Sequence, residues 1–320
     1  MSKVTRVGLR CDAAPASGVG HLVRCVALAE ELCARGVEVV FLGEVRDSPF
    51  ALAQLKERRY RRVTPPEEPA RLAALAGELR LDAVVLDSYD LPQESGAALR
   101  EAGLAVLAIV DGDPLGQEAD LYVDQNLGAE RLDRPGDWLA GADYVLLRDS
   151  VRGLARTPRR WPLPRVLCFF GGTDSAGVVP AWTRALRETG VAFEGTVVSP
   201  TPFATLGSIK IIEPTSRLPE LMAGSDLVVT AAGSAIWELL HLGVPTALSW
   251  VADNQLIGYR ELVGRGVAAA LGPVPDEQAV GVLARLLADP AAREALGRRG
   301  RGLVDGKGRE RVADALLALR

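Results

Sequence analysis

Three loops hold the residue types that could carry chemistry. The first runs Arg10-Cys-Asp12 and then Gly18-Val-Gly20-His21-Leu-Val-Arg24. Two glycines let such a chain turn tightly and let its backbone approach a ligand. A helix starting near Gly20 aims unpaired N–H groups and about half a positive charge at the same space. A histidine at that point suits general acid/base work, the alternative being an imidazole that only caps or packs. The spacing is half of a dinucleotide fingerprint, but Arg24 stands where a third Gly or Ala is needed, which argues against NAD or FAD.

The second loop is Gly171-Gly172-Thr173-Asp174. Its amides and the Thr173 hydroxyl are suited to a diphosphate oxygen, although the same four residues also make an ordinary turn with a helix cap. The third runs from Thr230 through Ala232-Gly233-Ser234 to Glu238, followed by Gly243-Val-Pro245. Small residues open room at a helix start, where amides favour a pyrophosphate. Glu238 lies one turn beyond Ser234 on the same helix face, within reach of two ribose hydroxyls. A carboxylate there also complements the helix dipole. Asp111-Gly-Asp113 has the form of a metal-binding pair, but Asp-Gly before Pro114 is first a turn signal. No metal ligand set is expected, no organic cofactor is called for, and P-loop and Gly-x-Ser-x-Gly patterns are absent.

Positioning these loops requires strands that end where they begin. Short β-branched runs alternate with Ala/Leu-rich helical stretches, the pattern of parallel βαβ units and an α/β fold. Strands are expected at Val4 to Arg10, Val37 to Leu42, Ala83 to Leu86 and Leu104 to Val110, with a helix from about Gly20 to Arg35 stopped by Gly36. A second series opens at Arg165 to Phe170 and continues through Ile209 to Ile212, Leu227 to Thr230 and Pro245 to Trp250. The expected division is a domain at 1–150, a Pro- and Arg-rich linker at 151–164 and a domain at 165–320.

Bulk properties narrow the classes. The chain has 320 residues, enough for two domains. A net charge of -4 gives no electrostatic reason to seek nucleic acid. The locally basic stretch from Arg293 to Arg311 reads as a solvated helix face. Four scattered cysteines, no leader-like N-terminus and no apolar run of membrane-spanning length lead to the expectation of a cytoplasmic protein.

Taken together, the loops resemble the UDP-sugar hydrolases of pseudaminic acid biosynthesis and their spore-coat polysaccharide relatives. The residues carrying the resemblance are Arg10, Asp12, Gly18, Gly20, His21 and Arg24, then Asp87-Ser-Tyr89, Asp111, Asp124-Gln-Asn126 and Tyr144 to Arg148. It returns at Gly171 to Asp174, Ala232 to Glu238 and Ala252-Asp-Asn254-Gln255. The chain departs from the family pattern at Gly112 and Ser175, positions that bear on the sugar more than on the nucleotide.

The resemblance implies a GT-B architecture, two Rossmann-like domains facing each other across a cleft. UDP would be held by Gly171, Gly172, Thr173, Asp174, Gly233, Ser234 and Glu238. His21 would be catalytic, with Arg10, Asp12, Gly20, Arg24, Tyr89, Asn254 and Gln255 around the substrate. The implied reaction is metal-independent attack of water at the anomeric carbon of a UDP-linked deoxy-amino sugar. A glycosyltransferase using the same site, and a non-catalytic nucleotide-sugar-binding protein, are the alternatives.

Overall fold

The computed structural model describes residues 4–14, 18–156, 162–205 and 207–319. The chain divides into two compact units, one of Met1–Asp149 with Gly306–Arg320, the other of Ser150–Asp305.

In the first unit the strands are β1 (Arg6–Arg10), β2 (Glu38–Leu42), β3 (Arg61–Val63), β4 (Ala83–Leu86), β5 (Ala105–Ile109), β6 (Leu121–Asp124) and β7 (Trp138–Ala140). They form one parallel sheet in the order β3-β2-β1-β4-β5-β6-β7. The central strands β4 and β5 are buried along their whole length, as continuous apolar runs require when helices cover both faces. Helix α1 (Gly20–Ala34) covers one face, burying Leu22, Cys25, Val26, Leu28, Ala29 and Leu32. It ends at Arg35, and Gly36 takes a left-handed φ of 79° that only glycine adopts without strain.

The second unit holds β8 (Arg165–Cys168), β9 (Glu194–Val198), β10 (Ile209–Ile212), β11 (Leu227–Ala231), β12 (Thr246–Ser249) and β13 (Ala269–Gly272). They are again all parallel, in the order β10-β9-β8-β11-β12-β13. Its core gathers Trp182, Phe170, Val197, Val229, Ala247 and Leu283. Among the described residues no helix is long and apolar enough to cross a membrane.

The end of the chain corrects the expected boundary. The segment after Asp305 returns to the first unit, where Val312, Ala313 and Leu316 of the helix Gly308–Ala318 join the core that α1 helps to form. Burial of an apolar helix face decides this, and charge pairing fixes it: Arg309 reaches Glu30 at 3.1 Å and Asp149 at 2.6 Å. Gly308 lies so close that a Cβ would meet the Val145 carbonyl oxygen at 2.3 Å. The outward crossing falls between Asp149 and Ser150, and residues 157–161 of the expected linker, Pro158 included, lie outside the described residues. The basic stretch is also not simply a solvated face. Arg309 is buried, and so is Arg293, which donates to the carbonyls of Leu286 and Leu287 at 2.6 and 2.8 Å.

Candidate active site

Each sheet is wound outward from its first strand to one side, then returns to lay the fourth strand on the other side. The reversals fall between β1 and β4 and between β8 and β11. In open α/β sheets ligands bind beyond the carboxyl ends of the strands flanking such a reversal. The expected site residues other than Asn254 and Gln255 lie there in both units. Arg10 closes β1 and Asp12, Gly20, His21 and Arg24 follow it, Asp87 and Tyr89 follow β4, Gly171 to Asp174 follow β8 and Gly233 to Glu238 follow β11.

In the first unit these loops converge on a buried charge cluster. Gly20 opens α1 and His21 is its second residue, only 9% exposed. His21 Nδ1 lies 2.5 Å from Asp87 Oδ1. Asp87 itself is fully buried at the end of β4. Arg24, one turn along α1, donates Nε to Asp87 Oδ2 at 2.7 Å and Nη2 to Oδ1 at 2.6 Å. Its other edge meets Asp111, Nη1 to Oδ1 at 3.0 Å and Nη2 to Oδ2 at 3.1 Å. Tyr89 donates its hydroxyl to Asp111 and sets its ring edge-on to the imidazole, centroids 4.5 Å apart. Asn126 Nδ2 bridges Asp111 and Asp124 at 2.9 Å each.

The chemistry of the cluster follows from who can donate. An ionised carboxylate only accepts, so Asp87 fixes the hydrogen of His21 on Nδ1 and leaves the Nε2 lone pair to take a proton. Burial by itself pushes the Asp87 carboxyl up; the Arg24 guanidinium and then His21 outweigh it, and the carboxyl is held below its usual range. Asp111 balances in the same way, burial raising it and Arg24 lowering it further than that, with help from Tyr89 and Asn126. For Arg24, desolvation is overcome by Asp111 and Asp87, which hold the guanidinium charged.

This arrangement changes the reading of Arg24. Expected as a substrate contact, it turns all three side-chain nitrogens to two carboxylates, which explains why the third Gly of a dinucleotide loop is replaced here. Asp111 meets a guanidinium where a metal reading would place a cation, and Asp113 caps the Leu115 amide at 2.8 Å. Among the described residues no group of three or more His, Cys, Asp or Glu could hold a metal ion. Arg10 and Asp12 pair with each other at 2.6 Å and turn toward the end of β2, Asp12 accepting from the Glu44 amide at 2.8 Å.

In the second unit Gly171 takes a left-handed φ of 73°. Asp174 accepts from the amides of Val178 and Val179 at 3.0 and 3.3 Å, at the start of the helix Val179–Glu188. That contact gives Asp174 a structural partner within its own loop. Desolvation raises the Asp174 carboxyl despite these amides. Ser234 stands at the start of the helix Ala235–Leu242, whose first turn carries Glu238, 5% exposed. Asn254 and Gln255 sit in a short turn after β12. Gln255 approaches the third loop, its Nε2 lying 3.9 Å from where a Cβ on Gly233 would stand, and its Oε1 accepts from Val251 at 3.0 Å. His241 donates Nδ1–H to the Val304 carbonyl at 3.0 Å and is structural.

Sequence reasoning missed Asn126 as the bridge to Asp111, and the clamp behind it. Asp124 accepts from Gly112 at 3.2 Å and from Arg134 at 3.0 Å, while Arg134 covers the Trp138 ring at 3.6 Å. The available signal was an acid closing an apolar run: Asp87 after β4, Asp111 after Val110 and Asp124 ending β6.

A pH dependence follows from the lowered carboxyls. Asp87 and Asp111 contribute stability that is fully present above the ordinary carboxylate range near about pH 4 and is lost as pH falls through their lower folded values. Urea midpoints measured from pH 6 down to pH 3 are expected to decline mainly below about pH 4. Replacing both acids by asparagine should flatten that decline; an unchanged slope would place the acid sensitivity elsewhere.

No family model matches the chain. It is 25% identical to the spore coat polysaccharide biosynthesis protein SpsG of Bacillus subtilis, over 98% of each chain. Among solved structures it resembles MurG of Acinetobacter baumannii, with a TM-score of 0.67 and 16% identity over 98% of this chain and 99% of that one. It also resembles the spinosyn rhamnosyltransferase SpnG complexed with thymidine diphosphate, with a TM-score of 0.61 and 18% identity over 92% and 95% of the two chains. The chain therefore has the two-domain α/β fold called GT-B, and over its whole length it is similar to SpsG.

Proposed function

We propose that the chain is an enzyme acting on a nucleoside-diphosphate sugar, with UDP the expected nucleotide, and that it transfers the glycosyl group to water. The observation carrying this reading is the His21–Asp87 contact of 2.5 Å, which orients Nε2 as a general base. Water would form a bond to the anomeric carbon and lose a proton to Nε2 while the bond to the diphosphate oxygen breaks. Such positioned proton transfer is typically worth about 10²–10⁴-fold. Amides at Gly172, Thr173, Gly233 and Ser234 would stabilise the charge growing on the departing diphosphate.

The likeness to a polysaccharide biosynthesis protein supports a sugar substrate, and the thymidine diphosphate bound to SpnG supports a nucleoside diphosphate. Transfer to a saccharide hydroxyl uses the same base and is favoured by the glycosyltransferase likeness. ¹⁸O water separates the two. Incubated with UDP-linked deoxy-amino sugars, the protein should place label early on the anomeric hydroxyl of the released sugar. Label on UDP would mean attack at phosphorus and remove His21 from this role. Release only after a saccharide or lipid acceptor is added would make the chain a transferase.

Glu238 gives a second test. If its carboxylate accepts the ribose hydroxyls, Glu238→Ala should weaken UDP binding by about 1–3 kcal/mol. Calorimetric titration of variant and parent decides it, and equal affinities would take Glu238 out of the nucleotide site.

A further inference from the structure

One oxygen of the Asp87 carboxylate serves two donors at once. Oδ1 meets both His21 Nδ1, at 2.5 Å, and Arg24 Nη2, at 2.6 Å. The same Nη2 stands 3.3 Å from Nδ1. With the imidazole hydrogen on Nδ1 this last approach sets donor against donor, a repulsion tolerated only while something draws the guanidinium the other way. Asp111 does so, gripping the far edge of the guanidinium through both oxygens. Asp111 is held in turn by Tyr89 and by Asn126.

Charge bookkeeping points the same way. At rest the group holds two carboxylates and one guanidinium, net minus one. When Nε2 takes a proton the group becomes neutral, in a place where water cannot screen a surplus charge. Without Asp111 the imidazolium and the guanidinium would share one carboxylate, Asp87, and the group would carry net plus one.

We propose that Asp111 is a positioning residue: by holding Arg24 from behind, it leaves Asp87 able to bind the Nδ1–H of His21 and to support the imidazolium formed in turnover. The role rests on the general-base reading of His21, and it can be measured apart from any substrate. The chain has two histidines, and His241, in the other unit and bonded to Val304, is an internal reference. Ring ¹⁵N shifts, recorded well above the imidazole titration range, report which nitrogen carries the hydrogen.

The parent is expected to show the Nδ1–H form at His21. Asp111→Asn should let an Nε2–H population appear, because Arg24 then closes fully on Asp87. Arg24→Gln, alone or combined with Asp111→Asn, should give His21 as Nδ1–H, since Asp87 Oδ1 then serves one donor. With a turned-over substrate, Asp111→Asn should lower kcat on the order of tenfold with KM moving less than about twofold, and the double variant should recover part of that loss. Asp111→Glu, which keeps the charge, should remain nearer to the parent in both measurements. A role confined to packing predicts the reverse order, with the double variant worse than either single one. An unchanged tautomer in folded Asp111→Asn, or Nε2–H in folded Arg24→Gln, overturns the proposal. If Asp111→Asn does not fold, Tyr89→Phe combined with Asn126→Ala, which removes both groups that hold Asp111, takes its place: an Nε2–H population supports the proposal and an unchanged tautomer overturns it. The expected tautomers without turnover on any sugar nucleotide would sink the enzymatic reading while leaving this one standing.

Discussion

His21→Gln is expected to leave UDP affinity within about twofold of the parent and to lower kcat on the order of 10²-fold or more. Glutamine approximates the reach of the imidazole and can still donate to Asp87, so the cluster keeps a hydrogen bond where Nδ1–H stood at 2.5 Å. What it cannot do is take a proton at the far atom. The proposed nucleotide contacts, at Gly172, Thr173, Gly233, Ser234 and Glu238, belong to the other unit, which is why binding and rate should separate. The measurement is a pair: calorimetric titration of UDP and single-turnover release of sugar. A rate within about threefold of the parent would show that another group handles the proton. A parallel loss of UDP affinity would make His21 a binding residue and return the site to the non-catalytic alternative.

How much of this was legible in the sequence differs from one element to another. β4 and β10 were read to the residue, and β1, β2, β5, β8, β11 and β12 to within a residue or two at either end, because long apolar runs between turn signals have no other stable home. β6, Leu121–Asp124, and β9, Glu194–Val198, were not read, and nor were β3, Arg61–Val63, and β7, Trp138–Ala140. β3 and β7 are three-residue strands at sheet edges, and their pairing comes from a neighbouring strand rather than from an apolar pattern. β13, Ala269–Gly272, has a helix-forming composition and becomes a strand only by pairing with β12. The C-terminal helix was assigned to the wrong unit because an amphipathic pattern shows that a face is buried and not which sheet buries it. His21 stood out from its glycines and helix start. Its dependence on Asp87 did not, since 66 residues separate them and only the β1–β4 reversal makes them neighbours. Arg24 shows the same limit: a charged residue beside a Gly loop reads as a ligand contact, and only the fold reveals the two carboxylates it pairs with.

The dependence of His21 on Asp87 gives the second large effect. Asp87→Asn keeps the size of the side chain but turns an acceptor into a group that can present an N–H to the imidazole. The ring then does best by accepting at Nδ1, which moves its hydrogen to Nε2 and removes the lone pair that should meet the nucleophile. A base held in the wrong tautomer is expected to cost about 10²–10⁴-fold in kcat, with KM little changed. The same substitution leaves Arg24, 5% exposed, with Asp111 as its remaining anionic partner, where it had two. Breaking one side of a buried ion pair costs about 3–5 kcal/mol when nothing else compensates, and Asp111 should keep the loss below that. Rate and stability therefore need separate readings: urea unfolding of each variant, and turnover well below the melting temperature, scaled to the folded fraction. Asp87→Glu is the control, because it restores the charge for Arg24 but displaces the oxygen that faces Nδ1. It should recover most of the stability and little of the rate. Were Asp87→Asn as fast as the parent once scaled for folding, the carboxylate would serve the fold alone, and the 2.5 Å contact would carry no catalytic meaning.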